Sequence, residues 1–303
     1  MRILLTGSSG WLGQTLAPLL SSLGHSVTGI DPKPSAHTQI VASIADRDTV
    51  RGAIADNRIE AVIHAGALHK PDIERHPRQA FLDVNVQGTF NLLEEAVAAG
   101  VSRFVFTSTT SLMISEKIRA GLAGGAAKAA WLTEEMSPEP RNIYGVTKLA
   151  AEHLCRLTHI LHGLPVIVLR TARFFPEEDD MAHAIEQSEE NTKANEFLFR
   201  RLTVEDVARA HVAALEQAPA IGFDTFIVCA PTPFSPQDCD QLIDNAPTVV
   251  ARYFPDYPAL YARKGWTMFQ SIDRVYDASK IRERLGFVCK TDFASVLDDL
   301  RRS

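Results

Sequence analysis

No apolar run in this 303-residue chain approaches the roughly 18 residues that would suggest a membrane-spanning helix. Basic residues do not cluster. The 31 Lys and Arg are scattered among 37 Asp and Glu, and the formal net charge is −6. The electrostatic footprint of a nucleic-acid surface is therefore missing. Cysteines are few: Cys155, Cys229, Cys239 and Cys289 stand far apart, with no C-x-x-C and no Cys/His ligand spacing. That pattern points to reduced thiols in a cytoplasmic protein, with no structural zinc and no other metal site. The N-terminal residues MRILLTGSSG lack a charged leader, a long apolar stretch and a small-residue cleavage site, so no secretory signal is expected. With nucleic acid and membrane set aside, the expected partner is a small molecule.

What the chain does have is enough apolar residues for a large core, 46% of the total. Short apolar runs at Arg2–Leu5, Val27–Ile30, Ala61–His64, Arg103–Ser108, Leu164–Arg170 and Thr225–Cys229 read as strands. Stretches with helical spacing lie between them, such as Leu12, Leu16, Leu19, Leu20 and Leu23. Short continuous strands alternating with helices predict an α/β fold: a parallel sheet covered on both faces, doubly wound in the Rossmann manner. Residues 204–215 and 277–285 are expected as further helices. Residues 173–200 are acidic without a clear strand, and 231–275 are rich in Pro and aromatics. The expected division is a sheet domain over 1–172, taking in about 201–230, and a smaller substrate-binding lobe from 173–200 and 231–303. The small-residue stretch Ala120–Ala130 reads either as a mobile flap or as an Ala-rich surface helix with a Gly break.

The first strand runs into GSSGWLG, from Gly7 to Gly13, and then into a helix. Glycines there permit a tight turn, close approach of backbone to a pyrophosphate, and close helix–strand packing. The helix N-terminus offers free N–H groups and a favourable dipole to the phosphates. Asp31 closes the second strand, about twenty residues on, where a carboxylate accepts hydrogen bonds from ribose hydroxyls and repels the extra phosphate of NADP. Lys33, two residues later, pulls the other way. NAD is the expected cofactor, with NADP the lesser alternative; Asp31 as a turn residue before Pro32 is the plainer reading.

Tyr144 and Lys148, in NIYGVTK, are one helical turn apart and share a face. A free tyrosine, with a pKa near ~10, is a poor base. A nearby ammonium is expected to lower it, so that Tyr144 exchanges a proton with an alcohol while hydride moves at carbon.

These motifs have ordered companions: TGSSGWLG (Thr6–Gly13), IHAGA (Ile63–Ala67), DVNVQGT (Asp83–Thr89), FVFTSTTS (Phe104–Ser111) and TEEMSPEPRNIYGVTK (Thr133–Lys148). In that order they resemble the extended short-chain dehydrogenase/reductase superfamily, specifically its NAD-dependent epimerase/dehydratase group, over residues 1 to about 172 and in patches beyond. The resemblance implies roles position by position. Gly7, Ser9, Gly10, Trp11, Leu12 and Gly13 would meet the pyrophosphate, and Asp31 and Lys33 the adenosine ribose. Ser43 and Ile44 would lie at the adenine, with Ser43 standing where many relatives have an acidic residue. His64, Ala65, Gly66 and Ala67 would run along the cofactor, with His64 itself read from sequence as a packed residue. Asn85 would fix the sheet edge behind the site, or simply cap a helix. Thr109 takes the catalytic Ser/Thr position, bonding the substrate oxygen as charge develops, with Thr107, Ser108 and Thr110 as near alternatives. Thr107 and Arg170 would also touch cofactor, and Thr110 substrate. Tyr144 would be the general acid/base, and Lys148 would also hold the nicotinamide ribose.

The pattern is departed from in two places. Relatives that bind nucleoside-diphosphate sugars usually have Asn three residues after the strand-end Arg; this chain has Arg173. A guanidinium fork suits a carboxylate or phosphate, so Arg173 is expected either to face an anionic substrate group or to pair with Glu177 or Asp179. After Thr109 the chain reads Leu112-Met113-Ile114 in place of V-Y-G, and residues 112–143 form a longer insertion, read as a lid. RLTVEDVARAH (Arg201–His211) and DRVYDASKIRERLG (Asp273–Gly286) also resemble family segments, with Arg263 and Arg274 as open candidates for substrate contact. No acidic pair adjoins Thr109, which argues against dehydration.

The implied function is NAD-dependent oxidation or epimerisation at a secondary alcohol of a sugar or sugar derivative. The alternatives are a dehydrogenase of a free anionic sugar or hydroxy acid, and a non-catalytic NAD-binding sensor. Family members often form homodimers through the helix after Asn85 and the Tyr144 helix. Phe90, Leu92, Leu93 and Val97 on one, and Leu149, Leu154 and Leu157 on the other, would serve such an interface or equally the core.

Overall fold

The computed structural model describes residues 1–120, 127–174 and 187–302. Two compact units emerge. The first comprises residues 1–112, 140–171 and 207–226; the second comprises 113–139, 172–206 and 227–303. The insertion after Leu112, expected in the sheet domain, therefore groups with the second unit, as do residues 201–206 and 227–230. Residues 121–126 of the Ala/Gly-rich stretch lie outside the described residues, as do Phe175, Pro176, Glu177 and Asp179.

In the first unit the chain begins β1 (Arg2–Thr6), α1 (Trp11–Ser22), β2 (Ser26–Asp31), β3 (Ile40–Val41), α2 (Arg47–Asp56) and β4 (Ala61–His64). It continues through α3 (Arg78–Phe81), α4 (Gly88–Ala98) and β5 (Arg103–Thr109). The second unit takes α5 (Glu116–Ala120) and β6 (Ala130–Leu132) before α6 (Ile143–His162) and β7 (Val166–Thr171) return to the first. There follow α7 (Glu189–Glu196), α8 (Val204–Ile221) and β8 (Phe223–Val228). The chain ends with α9 (Cys239–Tyr253), α10 (Tyr257–Lys264), β9 (Arg274–Tyr276), α11 (Ser279–Leu285) and α12 (Phe293–Arg302).

The main sheet has seven strands in the order β3-β2-β1-β4-β5-β7-β8. The pairs β1–β2, β2–β3, β1–β4, β4–β5 and β5–β7 are all parallel. Buried on both faces, such strands need continuous apolar residues, and Ile3, Leu4 and Leu5 are each fully buried. Burying a side chain of that size stabilises the fold by about 1.5–3 kcal/mol. The strand order reverses between β1 and β4, whose carboxyl ends, Thr6 and His64, stand in register. In open α/β sheets the crevice at that reversal is where ligands bind.

Helix α6 carries the site. Asn142 Oδ1 caps it by accepting from Gly145 N at 2.9 Å, and Gly163 ends it at φ 69°, in the left-handed region. Its buried face is Tyr144, Thr147, Lys148, Ala151, Glu152, Cys155 and Thr158. That face is unusually polar for a core-facing stripe, an early sign of chemistry.

In the second unit, β6 and β9 form a separate parallel pair. Helices α9 and α10 occupy the region where sequence showed only Pro and aromatics. Pro247 falls inside α9, which bends at Asn245 (φ −153°, ψ 70°), and this interrupts the helical period. The aromatics pack among themselves: Phe254 on Phe293 at 5.0 Å and Tyr261 on Trp266 at 5.4 Å between ring centres. Among the described residues no helix is long and apolar enough to cross a membrane, no His/Cys/Asp/Glu group could hold a metal, and none of the four cysteines is in a disulfide.

Candidate active site

At the carboxyl end of β1 the backbone is too close for side chains. A Cβ on Gly13 would lie 2.1 Å from Gly7 O, and one on Gly7 would lie 2.7 Å from Gly66 N. Gly10 is the N-cap of α1 and supplies no side-chain cap, and the first turn holds no acid, so the positive end of the helix is left for an anion. Trp11 is half-exposed there while Leu12 is buried. Asp31 Oδ1 accepts from Lys33 N at 2.8 Å and Oδ2 from Ser9 N at 3.3 Å. The carboxylate is thereby fixed beside the glycine turn, and the exposed Lys33 is tethered through its backbone. Thr38 Oγ1, which sequence reading passed over, bonds the hydroxyls of Ser8 and Ser9, each at 2.7 Å. Ile44 is buried and fills the space where a Cβ on Gly88 would sit; Ser43 Oγ accepts from Ala45 N. A narrow turn, an uncapped helix start and a carboxylate at the end of β2 fit a dinucleotide.

His64 is wholly buried and bonded at both ring nitrogens, Nδ1 to Thr6 Oγ1 at 2.7 Å and Nε2 to Thr89 Oγ1 at 2.9 Å. Thr89 Oγ1 donates its proton to Asn85 O at 2.6 Å, so Nε2 must be the N–H and Nδ1 the acceptor. Burial and the charge of Lys148 hold the imidazole pKa well below its ordinary value, in keeping with that neutral form. His64 is thus an internal tie, with Ala65, Gly66 and Ala67 partly buried beyond it. Gly66 N donates to Thr6 Oγ1 at 2.9 Å.

Asn85 does not cap a helix. It lies in a π-helical segment, Leu82–Gln87, inserted between α3 and α4; such bulges often mark functional positions. Its side chain accepts from Leu68 N at 2.8 Å and donates to Leu68 O at 3.0 Å and to Thr147 Oγ1 at 3.1 Å. The loop after β4 is thereby fastened to α6 between Tyr144 and Lys148.

Thr109 lies close enough to Tyr144 to lower the phenol's pKa, and Thr109 Oγ1 donates to Ser111 Oγ at 3.0 Å. The other hydroxyls of that strand end are engaged elsewhere. Thr107 Oγ1 pairs with His211 Nε2 at 2.7 Å, Ser108 Oγ donates to Glu152 Oε1 at 2.5 Å, and Thr110 Oγ1 donates to Thr171 O at 3.3 Å. His211 spends its Nδ1 proton on Val207 O at 2.8 Å, which makes Thr107 the donor. Thr107, Ser108 and Thr110 each hold a structural bond at the hydroxyl, and Thr109 is the one that acts on Tyr144. Arg170 Nη2 lies 2.8 Å from Glu152 Oε2 in a buried ion pair, while its buried Nη1 has no hydrogen-bond partner among the described residues.

The electrostatics differ from expectation. Burial, only partly offset by the neighbouring Thr109 side chain, pushes the Tyr144 pKa up to about 12. Burial pushes Lys148 down to about 7, against the raising influence of Cys155 and Glu152. The Lys148 Nζ sits 4.2 Å from the centre of the Phe106 ring, a cation–π contact. Desolvation outweighs the attraction expected between ammonium and phenolate, because both groups lie in the dry interior.

The second unit holds the remaining candidates. Arg173 does not stand open toward solvent: its Nε lies 3.6 Å from Glu196 Oε2, and its backbone forms a bridge with Arg201. The fully buried Glu196 also pairs with Arg201 at 2.7 Å and with Arg200. Burial alone would raise its pKa; the three arginines bring it below the ordinary value. Arg274 pairs with Asp273 at 2.5 Å and Arg263 donates to Leu300 O at 3.0 Å.

Residues 3–229 match the NAD dependent epimerase/dehydratase family. The chain is 35% identical over 172 residues to GDP-6-deoxy-D-mannose reductase of Pseudomonas aeruginosa, covering 56% of this chain and 51% of that protein. It is 28% identical over 224 residues to the 3 beta-hydroxysteroid dehydrogenase/Delta 5-->4-isomerase of Mycobacterium tuberculosis, covering 71% and 53%. It spans about half the length of these curated relatives. The fold is similar to that of Thermus thermophilus UDP-glucose 4-epimerase in complex with NAD, with a TM-score of 0.67, 20% identity and 99% of each chain covered. The chain belongs to the NAD dependent epimerase/dehydratase family.

Proposed function

We propose that this protein is an NAD-dependent oxidoreductase or epimerase acting on a secondary alcohol of a sugar or sugar derivative, with Tyr144 as general acid/base. The observation that carries the reading is Tyr144 and Lys148 one helical turn apart on the buried face of α6, with Thr109 close enough to act on the phenol. Its relative that reduces a GDP-linked sugar supports the sugar class. NAD, when bound, supplies an acceptor for hydride. The reacting hydroxyl sits between Thr109 Oγ1 and the Tyr144 phenol. Thr109 hydrogen-bonds the oxygen as charge develops on it, and Tyr144 takes the proton, returning it in the reverse direction. Gly7, Ser9, Gly10, Trp11, Leu12 and Gly13 hold the pyrophosphate. Asp31 takes the ribose and makes NAD the preferred cofactor, Ser43 and Ile44 flank the adenine, and Ala65, Gly66 and Ala67 line the path between. Lys148 also holds the nicotinamide ribose. An epimerase and a dehydrogenase share these proton steps and differ in whether the ketone leaves.

A spectrophotometric screen for NAD⁺ and NADP⁺ reduction, with product chromatography to catch epimerisation, tests this. The panel compares free sugars, sugar acids and nucleoside-diphosphate sugars. Turnover with at least one class and faster reaction with NAD⁺ are expected. NAD⁺ binding without any turnover across the panel overturns the reading.

The same reading includes a homodimer. Leu92 and Leu93 are fully buried and belong to the core, so they drop out of the expected interface. Val146, Leu157, Ile160 and Leu161 on α6 are exposed, and a second copy of this chain is proposed to cover them.

A further inference from the structure

Thr38 lies in the loop that joins β2 to β3, and its hydroxyl meets three others: Ser8 and Ser9 at 2.7 Å each and Ser35 at 2.9 Å. The direction of each proton follows by elimination. Ser9 Oγ donates to Lys33 O, so toward Thr38 it can only accept. Thr38 has one proton and spends it on Ser9, so the Ser8 and Ser35 hydroxyls both donate to Thr38. Ser35 Oγ also accepts from His37 N at 3.2 Å. The loop is clamped to the glycine turn at the same place. A Cβ on Gly29 would lie 1.8 Å from His37 O and 2.7 Å from Ser8 Cβ. Gln39 N donates to Gly29 O at 3.0 Å, and Gln39 Oε1 accepts from Gly29 N at 2.7 Å. All four hydroxyl protons are therefore spent between the loop and the turn.

We infer that Thr38 is a positioning residue that sets cofactor selectivity: by fixing the proton order of Ser8, Ser9 and Ser35 it makes the corner beside Asp31 a surface of acceptors, which suits a ribose diol and excludes the 2′-phosphate of NADP. The inference rests on the dinucleotide site proposed above and adds a second residue to the selectivity placed there on Asp31. Ser9 and Ser35 are partly exposed, and with their protons spent they turn only lone pairs outward. The Asp31 carboxylate is an acceptor too, and the N–H groups of Ser9 and Lys33 hold it in place. A ribose diol has two protons to give and finds partners for both. A phosphate has charge and lone pairs and needs donors, which these hydroxyls withhold while Thr38 keeps their protons. The exposed Lys33 ammonium pulls the other way, so the proton order of the hydroxyls tips the balance. Without the Thr38 oxygen, the Ser35 proton is released and can reach a phosphate.

The test is a titration of NAD⁺ and of NADP⁺ into wild type and variants, followed by protein fluorescence, so that no turnover is needed. Wild type is expected to bind NAD⁺ the more tightly. Thr38→Val keeps the shape of the side chain and removes the oxygen. The ratio of the NADP⁺ to the NAD⁺ dissociation constant is expected to fall by about tenfold, the worth of one hydrogen bond to a charged group. Thr38→Ala should move the ratio the same way and covers the case of a valine variant that fails to fold. Thr38→Ser keeps the hydroxyl and should hold the ratio within about twofold of wild type. Adding Ser35→Ala to Thr38→Val removes the released hydroxyl and should bring the ratio back toward wild type. An unchanged ratio in Thr38→Val and Thr38→Ala, including an equal weakening of both cofactors, overturns this inference and leaves the dinucleotide site standing. A fall that Ser35→Ala does not reverse overturns it as well. Binding of neither cofactor by wild type overturns both.

Discussion

Arg170 and Glu152 grip each other one helical turn beyond Lys148. Nη2 meets Oε2 at 2.8 Å and Nε meets Oε1 at 3.1 Å, with both side chains 8% exposed. Ser108 adds a third bond to the same carboxylate. Removing one member of such a pair strands a charge in the interior, at a cost of about 3–5 kcal/mol, whereas replacing both with apolar residues is often nearly neutral. Glu152→Gln is expected to lower the urea midpoint sharply, and Glu152→Leu with Arg170→Met to recover most of it. A single variant within about 1 kcal/mol of wild type would count against the pair as a structural clamp.

How much of this was readable in advance follows from which interactions are local. The glycine turn, the Tyr144–Lys148 spacing and the strands of the parallel sheet are encoded within a few residues, and the parallel doubly wound fold is present as expected. The ion pair of Arg170 with Glu152, 18 residues earlier on another element, lies outside any local motif. The bond between Thr107 and His211, 104 residues away, is hidden for the same reason. The second unit hid α9 and α10 behind Pro247 and a set of aromatics.

The proton step predicts a clean separation of binding from chemistry. Tyr144→Phe keeps the ring and removes the acid/base, so turnover should fall by on the order of 10²–10⁴. Thr109→Val removes the oxyanion donor and should cost on the order of 10²–10³. NAD⁺ affinity, followed by protein fluorescence, should change little in either. If Tyr144→Phe retains more than about a tenth of wild-type turnover, Tyr144 is not the acid/base.

Cofactor preference is placed on Asp31. Hydrogen bonds to a charged group contribute about 1.5–3 kcal/mol, roughly ten- to a hundredfold in affinity. Asp31→Asn should weaken NAD⁺ by that factor and narrow the gap to NADP⁺, since the repulsion of the extra phosphate is also lost. Titration of both cofactors against wild type and variant decides it; an unaltered NAD⁺/NADP⁺ ratio removes Asp31 from the selectivity argument.

The α6 stripe gives a prediction about assembly. Ile160 and Leu161 are 65% and 63% exposed, a poor state for adjacent aliphatic side chains unless a partner covers them. Ile160→Glu with Leu161→Glu should shift a dimer to monomer in sedimentation velocity. Wild type sedimenting as a monomer at every concentration tested refutes the homodimer directly.

The pH profile follows from the opposed shifts of Tyr144 and Lys148. Below about pH 7 the pair holds both protons, as phenol and ammonium, and no base is available for alcohol oxidation. As pH rises through the Lys148 value of about 7, one proton leaves. The pair then shares the remaining proton, and its phenolate–ammonium form is the active one. Oxidation should therefore rise with pH through an apparent pKa near 7, while reduction, which starts from the fully protonated pair, should fall over the same interval. Lys148→Met removes the group that titrates there, leaving Tyr144 near its buried value of about 12. Its oxidation rate should lose the step near 7 and rise instead by about tenfold per pH unit toward the Tyr144 value. Initial rates of both directions across pH, at saturating cofactor, make the comparison; a step near 7 that persists in Lys148→Met assigns the titration to another group.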